Sequence, residues 1–136
     1  MPDTSALHSA SDALAAGRQV QSGRIRAISE NLANADSVPD TPGGTPYARK
    51  IAVFAPVVAD SPGDPVGRIV RDTSDFKSRY DPTNPGADLK GYVRLPNVNI
   101  AVESADLQQV IRNYELSMSA SASISTLTQA TINLIS

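Results

Sequence analysis

The last 37 residues of this chain, 100–136, contain neither proline nor glycine, and the final 21 of them carry no charge. A stretch of that length without either helix breaker reads as one continuous helix. At 1.5 Å per residue it is about 54 Å long. A compact domain of this size has a radius of gyration of only about 14 Å. The helix must project beyond any body the rest of the chain builds. Its uncharged part, LSMSASASISTLTQATINLIS, holds eleven Ser, Thr, Asn or Gln residues. That is too polar for hydrocarbon, yet it lacks the charges of a helix standing bare in water. Each of the eleven costs up to about 0.7 kcal/mol relative to alanine, about 5 kcal/mol in all. Burial of Ile124, Leu127, Ile132, Leu134 and Ile135 returns about 1.5–3 kcal/mol each. The tail is therefore expected to be helical where packed, inside a dense protein assembly. Its small side chains let backbones approach, and its hydroxyls can bond a carbonyl one turn back.

Spacing refines this helix. Leu107, Ile111, Tyr114 and Met118 follow at steps of 4, 3 and 4, and Ala120, Ile124, Leu127, Thr131 and Leu134 form a second, displaced stripe. Two stripes imply two sets of neighbours. Asn99 or Asn97 serves as N-cap, and Glu103 and Asp106 suit the positive end of the helix dipole. Within the tail, SMSASASIS alternates as a strand does. Helical periodicity on both sides, the absence of a turn residue and two alanines decide for helix.

The first 35 residues repeat the theme. Leu7, Leu14, Ile25, Ile28, Leu32 and Ala35 keep helical spacing, with Asp3, Thr4 or Ser5 as candidate caps. Gly17 and Gly23 each weaken this helix by about 1 kcal/mol. Nine of the ten prolines fall in residues 36–99. There YARKIAVFAPVV sets Ile51, Val53 and Val57 on one side of an extended chain. VGRIVRD supplies a second extended stretch, and ADSPGDP links the two. This reads as a β-hairpin with a long loop, which needs another surface to cover it. DPTNPGADLKGYVRLPNVN follows as extended chain with tight turns. The expected fold is mainly α with a small β element. Long N- and C-terminal helices (1–35 and 99–136) pack as a coiled-coil-like pair, with the hairpin and extended loops of 36–98 between them.

Composition excludes several functions. Net charge is −2 with no basic block, which argues against nucleic acid. No cysteine is present, so disulfides, zinc–thiolate sites and thiol catalysis are out. No run of 18 apolar residues exists to span a bilayer, and residues 1–20 lack the apolar core of a secretory signal. His8, the single histidine, has no second histidine for a metal or a triad. Asp81, Asn84 and Asp88 lack the spacing and distal Glu of an EF-hand and read as turn and cap residues. TPGGTP lacks the Lys and following helix of a phosphate loop and reads as a flexible loop. No catalytic, cofactor or metal site is expected. Asn31 and Asn34 read as helix-ending residues. Arg112 and Glu115 read as solvated charges, with an ion pair between subunits as the alternative.

One stretch is more specific. DPTNPGADLKGYVRLPNVN resembles the signature of flagellar basal-body rod proteins of the FlgC type, through Asp81, Pro82, Pro85, Ala87, Asp88, Gly91, Tyr92, Val93, Pro96, Asn97, Val98 and Asn99. SENLANADS resembles the rod–hook N-terminal motif, with Asn31, Leu32, Ala33 and Asn34 in place. TPGGTPYARK, containing Tyr47, is similar to the loop that follows it. Glu103, Asp106, Leu107, Arg112, Tyr114 and Glu115 match the start of the family's C-terminal helix. Departures are Ser37, Ala48, Asn84, Ser104 and Ser117, where the family favours Thr, a basic residue, His, Met and Asn.

The resemblance implies a structural subunit of the proximal rod. Its terminal helices pack with copies of themselves into a tube, and its middle segment forms an outer layer. It implies export, uncleaved, through the flagellar type III apparatus. It also implies residence in the periplasm-spanning rod, contacts with other rod subunits and the basal-body base, and transmission of torque around the export channel. No direct membrane insertion is expected. The subunit interface is expected to use Leu7, Leu14, Ile25, Ile28, Leu32, Leu107, Ile111, Tyr114, Met118, Ile124, Leu127 and Leu134. Two other readings compete. A soluble helical oligomeric adaptor or secretion chaperone would be a discrete folded species, and a small enzyme would need a polar constellation in a pocket.

Overall fold

The computed structural model describes residues 4–54 and 68–135. Asp3, Val57 and the ADSPGDP link lie outside them. Helix α1, Thr4–Ala33, runs 30 residues through both Gly17 and Gly23. Thr4 and Ser5 are the first two residues of the helix. Helix α2, Ile100–Ile135, is one uninterrupted helix of 36 residues, so SMSASASIS is helical, as its surroundings indicated. The mechanism is visible in the hydroxyls. Ser117, Ser123, Thr126, Thr128 and Thr131 each donate to the carbonyl four residues back, at 2.9–3.1 Å. Their polarity is satisfied within the helix, which removes much of the penalty for burying them against a neighbour.

Asn99 caps α2, its Oδ1 accepting from the amides of Ala101 and Val102. Asn97, the other candidate, works in the loop instead. It accepts from Arg49 N at 2.7 Å and donates to the Ser74 carbonyl and hydroxyl. At the end of α1, Asn34 turns back to the Glu30 carbonyl through both its backbone and side-chain amides.

Between the helices, β1 (Lys50–Val53) pairs antiparallel with β2 (Arg68–Arg71), Lys50 facing Arg71. This is the expected hairpin. A second pair was not expected: β3 (Lys77–Tyr80) runs antiparallel to β4 (Tyr92–Leu95), Tyr80 facing Tyr92. The segment expected to be unpaired extended chain is thus the arm and turn of a further hairpin. KSRY is exposed at every position, so it carries no alternation by which a strand could be read. The intervening turn organises the pairing. Asp88 Oδ1 accepts from the amides of Lys90 and Tyr92, Asn84 Oδ1 from Gly86 N and Asp81 Oδ1 from the Thr83 hydroxyl. Gly91 sits at φ +83°, where a Cβ would also lie 2.9 Å from the Tyr80 ring. Tyr80 and Tyr92 then stack edge to face with centroids 5.3 Å apart. TPGGTP is docked here too: Gly43 N donates to the Gly86 carbonyl, and Gly86 lies so close to Pro39 that a Cβ would come within 2.1 Å of its oxygen.

The buried core is small, as the low aromatic content implied: Ala27, Ile28, Val93 and Val110, with two polar residues, Asn31 and Glu103. The helices pack against each other antiparallel, so that the start of α1 lies beside the second half of α2. Toward those ends the seam is lined by Leu7, His8 and Ser11 from α1 and by Ser121, Ile124 and Thr128 from α2. Arg18 donates to the Ser121 hydroxyl across it.

Candidate functional site

Two features stand out, a buried polar junction and an uncovered apolar surface. The junction lies where α1, β1 and the start of α2 meet. Asn31 is wholly buried and Glu103 is 1% exposed. Asn31 Nδ2 donates to the Lys50 carbonyl at 2.9 Å and to Glu103 Oε2 at 3.0 Å. Its Oδ1 accepts from Lys50 N at 2.7 Å and from the Tyr47 hydroxyl at 2.9 Å. Glu103 Oε1 accepts from Arg49 Nε at 2.5 Å, and the Arg49 guanidinium also reaches Asp72 at 3.6 Å. Lys50 pairs with Glu30. Among the described residues no buried side-chain polar atom is left without a partner. A buried carboxylate is stable only when paired in this way.

The charges respond accordingly. Burial lifts the Tyr47 hydroxyl above its ordinary value, with Glu30 and Glu103 adding to it and Lys50 opposing. Burial works against the Arg49 charge, but the hydrogen bond and charge of Glu103, then Asp72, outweigh it and raise its pKa. The Glu30 hydrogen bond raises Lys50. Backbone and hydroxyl donation from Ser74 lowers Asp72, and donation from the Tyr92 amide lowers Asp88.

The second feature is the outside of α2. Leu116, Leu127 and Leu134 are 68%, 58% and 88% exposed. They are spaced by 11 and 7 residues, within about 20° of one line along the helix. Ile100, Ile111, Met118 and Ile132 are also exposed and lie on the opposite flank by the same geometry. The face turned to α1 between them carries Ser121, Ile124 and Thr128. A two-helix pair in water normally does the reverse, burying its leucines and exposing its serines. Among the described residues no group of His, Cys, Asp or Glu could hold a metal ion, and no helix is long and apolar enough to cross a membrane.

Of the expected interface residues, Ile28 is buried in the chain's own core. Leu7, Leu14, Ile25, Leu32, Leu107, Tyr114 and Ile124 are half-buried, and Ile111, Met118, Leu127 and Leu134 are exposed. The motif residues divide by task. Asn31 and Tyr47 enter the junction and Asn34 closes α1. Asp81, Asp88 and Gly91 shape the turn beside Pro82, with Tyr92 opening β4. Buried Pro96 precedes Asn97, which ties the loops, and Asn99 caps α2. Arg112 and Glu115 are exposed. Reading by sequence missed the burial of Glu103, Val93 and Val110. It also missed the roles of Arg49, Lys50 and Glu30. An acidic residue in a first helical turn looks like a solvated dipole partner, and only the approach of Asn31 from 72 residues away makes it a core group.

Relatives from several bacteria decide what kind of protein this is. The flagellar basal-body rod protein FlgC of Agrobacterium fabrum is 39% identical over 132 residues, 95% of either chain. The chain belongs to the FlgC family of rod proteins. FlgC of Aquifex aeolicus is 36% identical over 84% of this chain and 86% of its own length. FlgC of Escherichia coli is 36% identical over 84% and 87%. No protein-family model matches the chain. The relatives are named as flagellar basal-body rod proteins.

Proposed function

We propose that this chain is a structural subunit of the flagellar proximal rod that polymerises through its two terminal helices. The division of labour follows the expected segments. Residues 1–35 and 99–136 form the tube around the export channel, and 36–98 form an outer layer. Together they transmit torque across the periplasm. The supporting observation is the pair of uncovered apolar flanks on α2, separated by a seam of satisfied hydroxyls. Two uncovered flanks need two further neighbours, and sister copies and other rod subunits supply them. Load is then shared by packed side chains such as Ile111, Met118, Leu127 and Leu134. Export as an unfolded chain through the type III apparatus, without a cleaved signal, fits a subunit whose helices carry few buried apolar residues of their own. Without neighbours, the terminal halves of both helices have little to hold them helical.

The test is deletion of residues 116–136 in a motile strain carrying this chain as its only copy. The control strain carries the full-length chain at normal level. Protein made at that level but without a rod supports the proposal. Normal motility contradicts it. A discrete small oligomer in light scattering, with ordered ends, favours a secretion adaptor instead.

A further inference from the structure

Asn31 makes with Lys50 the two bonds that a neighbouring strand would make. Lys50 N–H donates to its Oδ1 and its Nδ2 donates to the Lys50 carbonyl. A helix side chain thus occupies the free edge of β1. The second Nδ2 proton goes to Glu103 on α2, whose other oxygen holds Arg49, the residue beside Lys50. One amide therefore joins α1, the hairpin and α2. Only an amide fits, because the central group must donate to a carboxylate and a carbonyl while accepting from an amide N–H and a phenol. Among the described strands, β1 packs most closely on the helix pair, against α1.

We propose that Asn31, Glu103 and Arg49 form a latch that fixes the orientation of the middle segment on the helix pair, with Asn31 as the positioning residue. Closed, the latch makes the hairpin and the junction end of the helices one rigid unit. Open, β1 keeps its pairing with β2 but loses its register on α1. The latch stands on geometry alone. Its use in passing load from tube to outer layer rests on the rod reading.

Amide exchange in the purified full-length chain tests it, with Lys50 N–H as the reporter because its proton lies in the latch itself. Asn31→Ala speeds exchange at Lys50 by at least about tenfold, while Ile51 and Val53, whose amides face β2 on the opposite edge of the strand, change less. Asn31→Asp sets two carboxylates face to face and does the same. Adding Glu103→Gln to Asn31→Asp removes the facing carboxylates and lets the Gln side chain donate to the Asp, while the Lys50 carbonyl still lacks its donor, so protection at Lys50 recovers in part. A merely structural role does not produce that rescue. Unchanged exchange in Asn31→Ala, or a double variant no better protected than Asn31→Asp, overturns the proposal. If the single variants do not fold, a folded double variant supports it and an unfolded one overturns it. Because every readout is on the isolated chain, a negative result leaves the rod reading untouched.

Discussion

The two ends of the helix pair solve the same problem in opposite ways. At the junction end, residues 24–33 of α1 and 100–115 of α2 bury Ala27, Ile28 and Val110 and enclose Asn31 and Glu103 with every polar atom paired. At the terminal end the same helices meet across a seam that includes Ser11, Ser121 and Thr128, and α2 leaves Leu116, Leu127 and Leu134 facing outward. The first end is complete within one chain. The second leaves large apolar side chains uncovered. Burial of apolar area is what holds a helix in place, so the two ends should differ in free-chain stability and in sensitivity to mutation.

The largest expected effect is at the junction. Glu103→Ala removes a buried carboxylate that Arg49 and Asn31 both use, and should lower the stability of the free chain by about 3 kcal/mol in urea unfolding. Val110→Ala comes next. It opens a cavity at a fully buried position on α2 and should cost about 2 kcal/mol. Acid acts more gently. The folded state holds the carboxyls of Asp72 and Asp88 below their ordinary pKa of 3.8. Their contribution is therefore complete above that pH and is lost as pH falls through the lowered values. Unfolding midpoints should drop below about pH 4, and Asp88→Asn should flatten that drop. The smallest effect is at the terminal end. Leu127→Ala should change free-chain stability by no more than about 0.5 kcal/mol while reducing incorporation into rods. A loss there as large as at Val110 would erase the contrast between the ends.

Much of this was legible in the sequence, for identifiable reasons. A segment without Pro or Gly gave a single helix, and Asn99 or Asn97 marked its start, of which Asn99 is the cap. The strand-like alternation in SMSASASIS yields to the helical periodicity on both its flanks. The β1–β2 hairpin followed from apolar alternation around Ile51 and Val53. Other features had no local signature. KSRY is polar on both faces, and its pairing with β4 depends on a turn held by Asp88 and Gly91. Glu103 is ordinary until Asn31 is brought to it. The seam between the helices was hidden because apolar spacing points to leucines, whereas these helices meet partly through serines and threonines. The motif residues were visible as a resemblance, but their separate tasks in junction, turn and cap required coordinates.

The most direct measurement is the backbone order parameter of each amide along both helices, by nitrogen relaxation on the free chain at a concentration where it is monomeric. Values near 0.85 for residues 24–33 and 103–115, falling below about 0.6 for 4–16 and 120–135, are predicted. Uniformly high values from one end of each helix to the other would contradict a subunit whose terminal halves wait for sister copies.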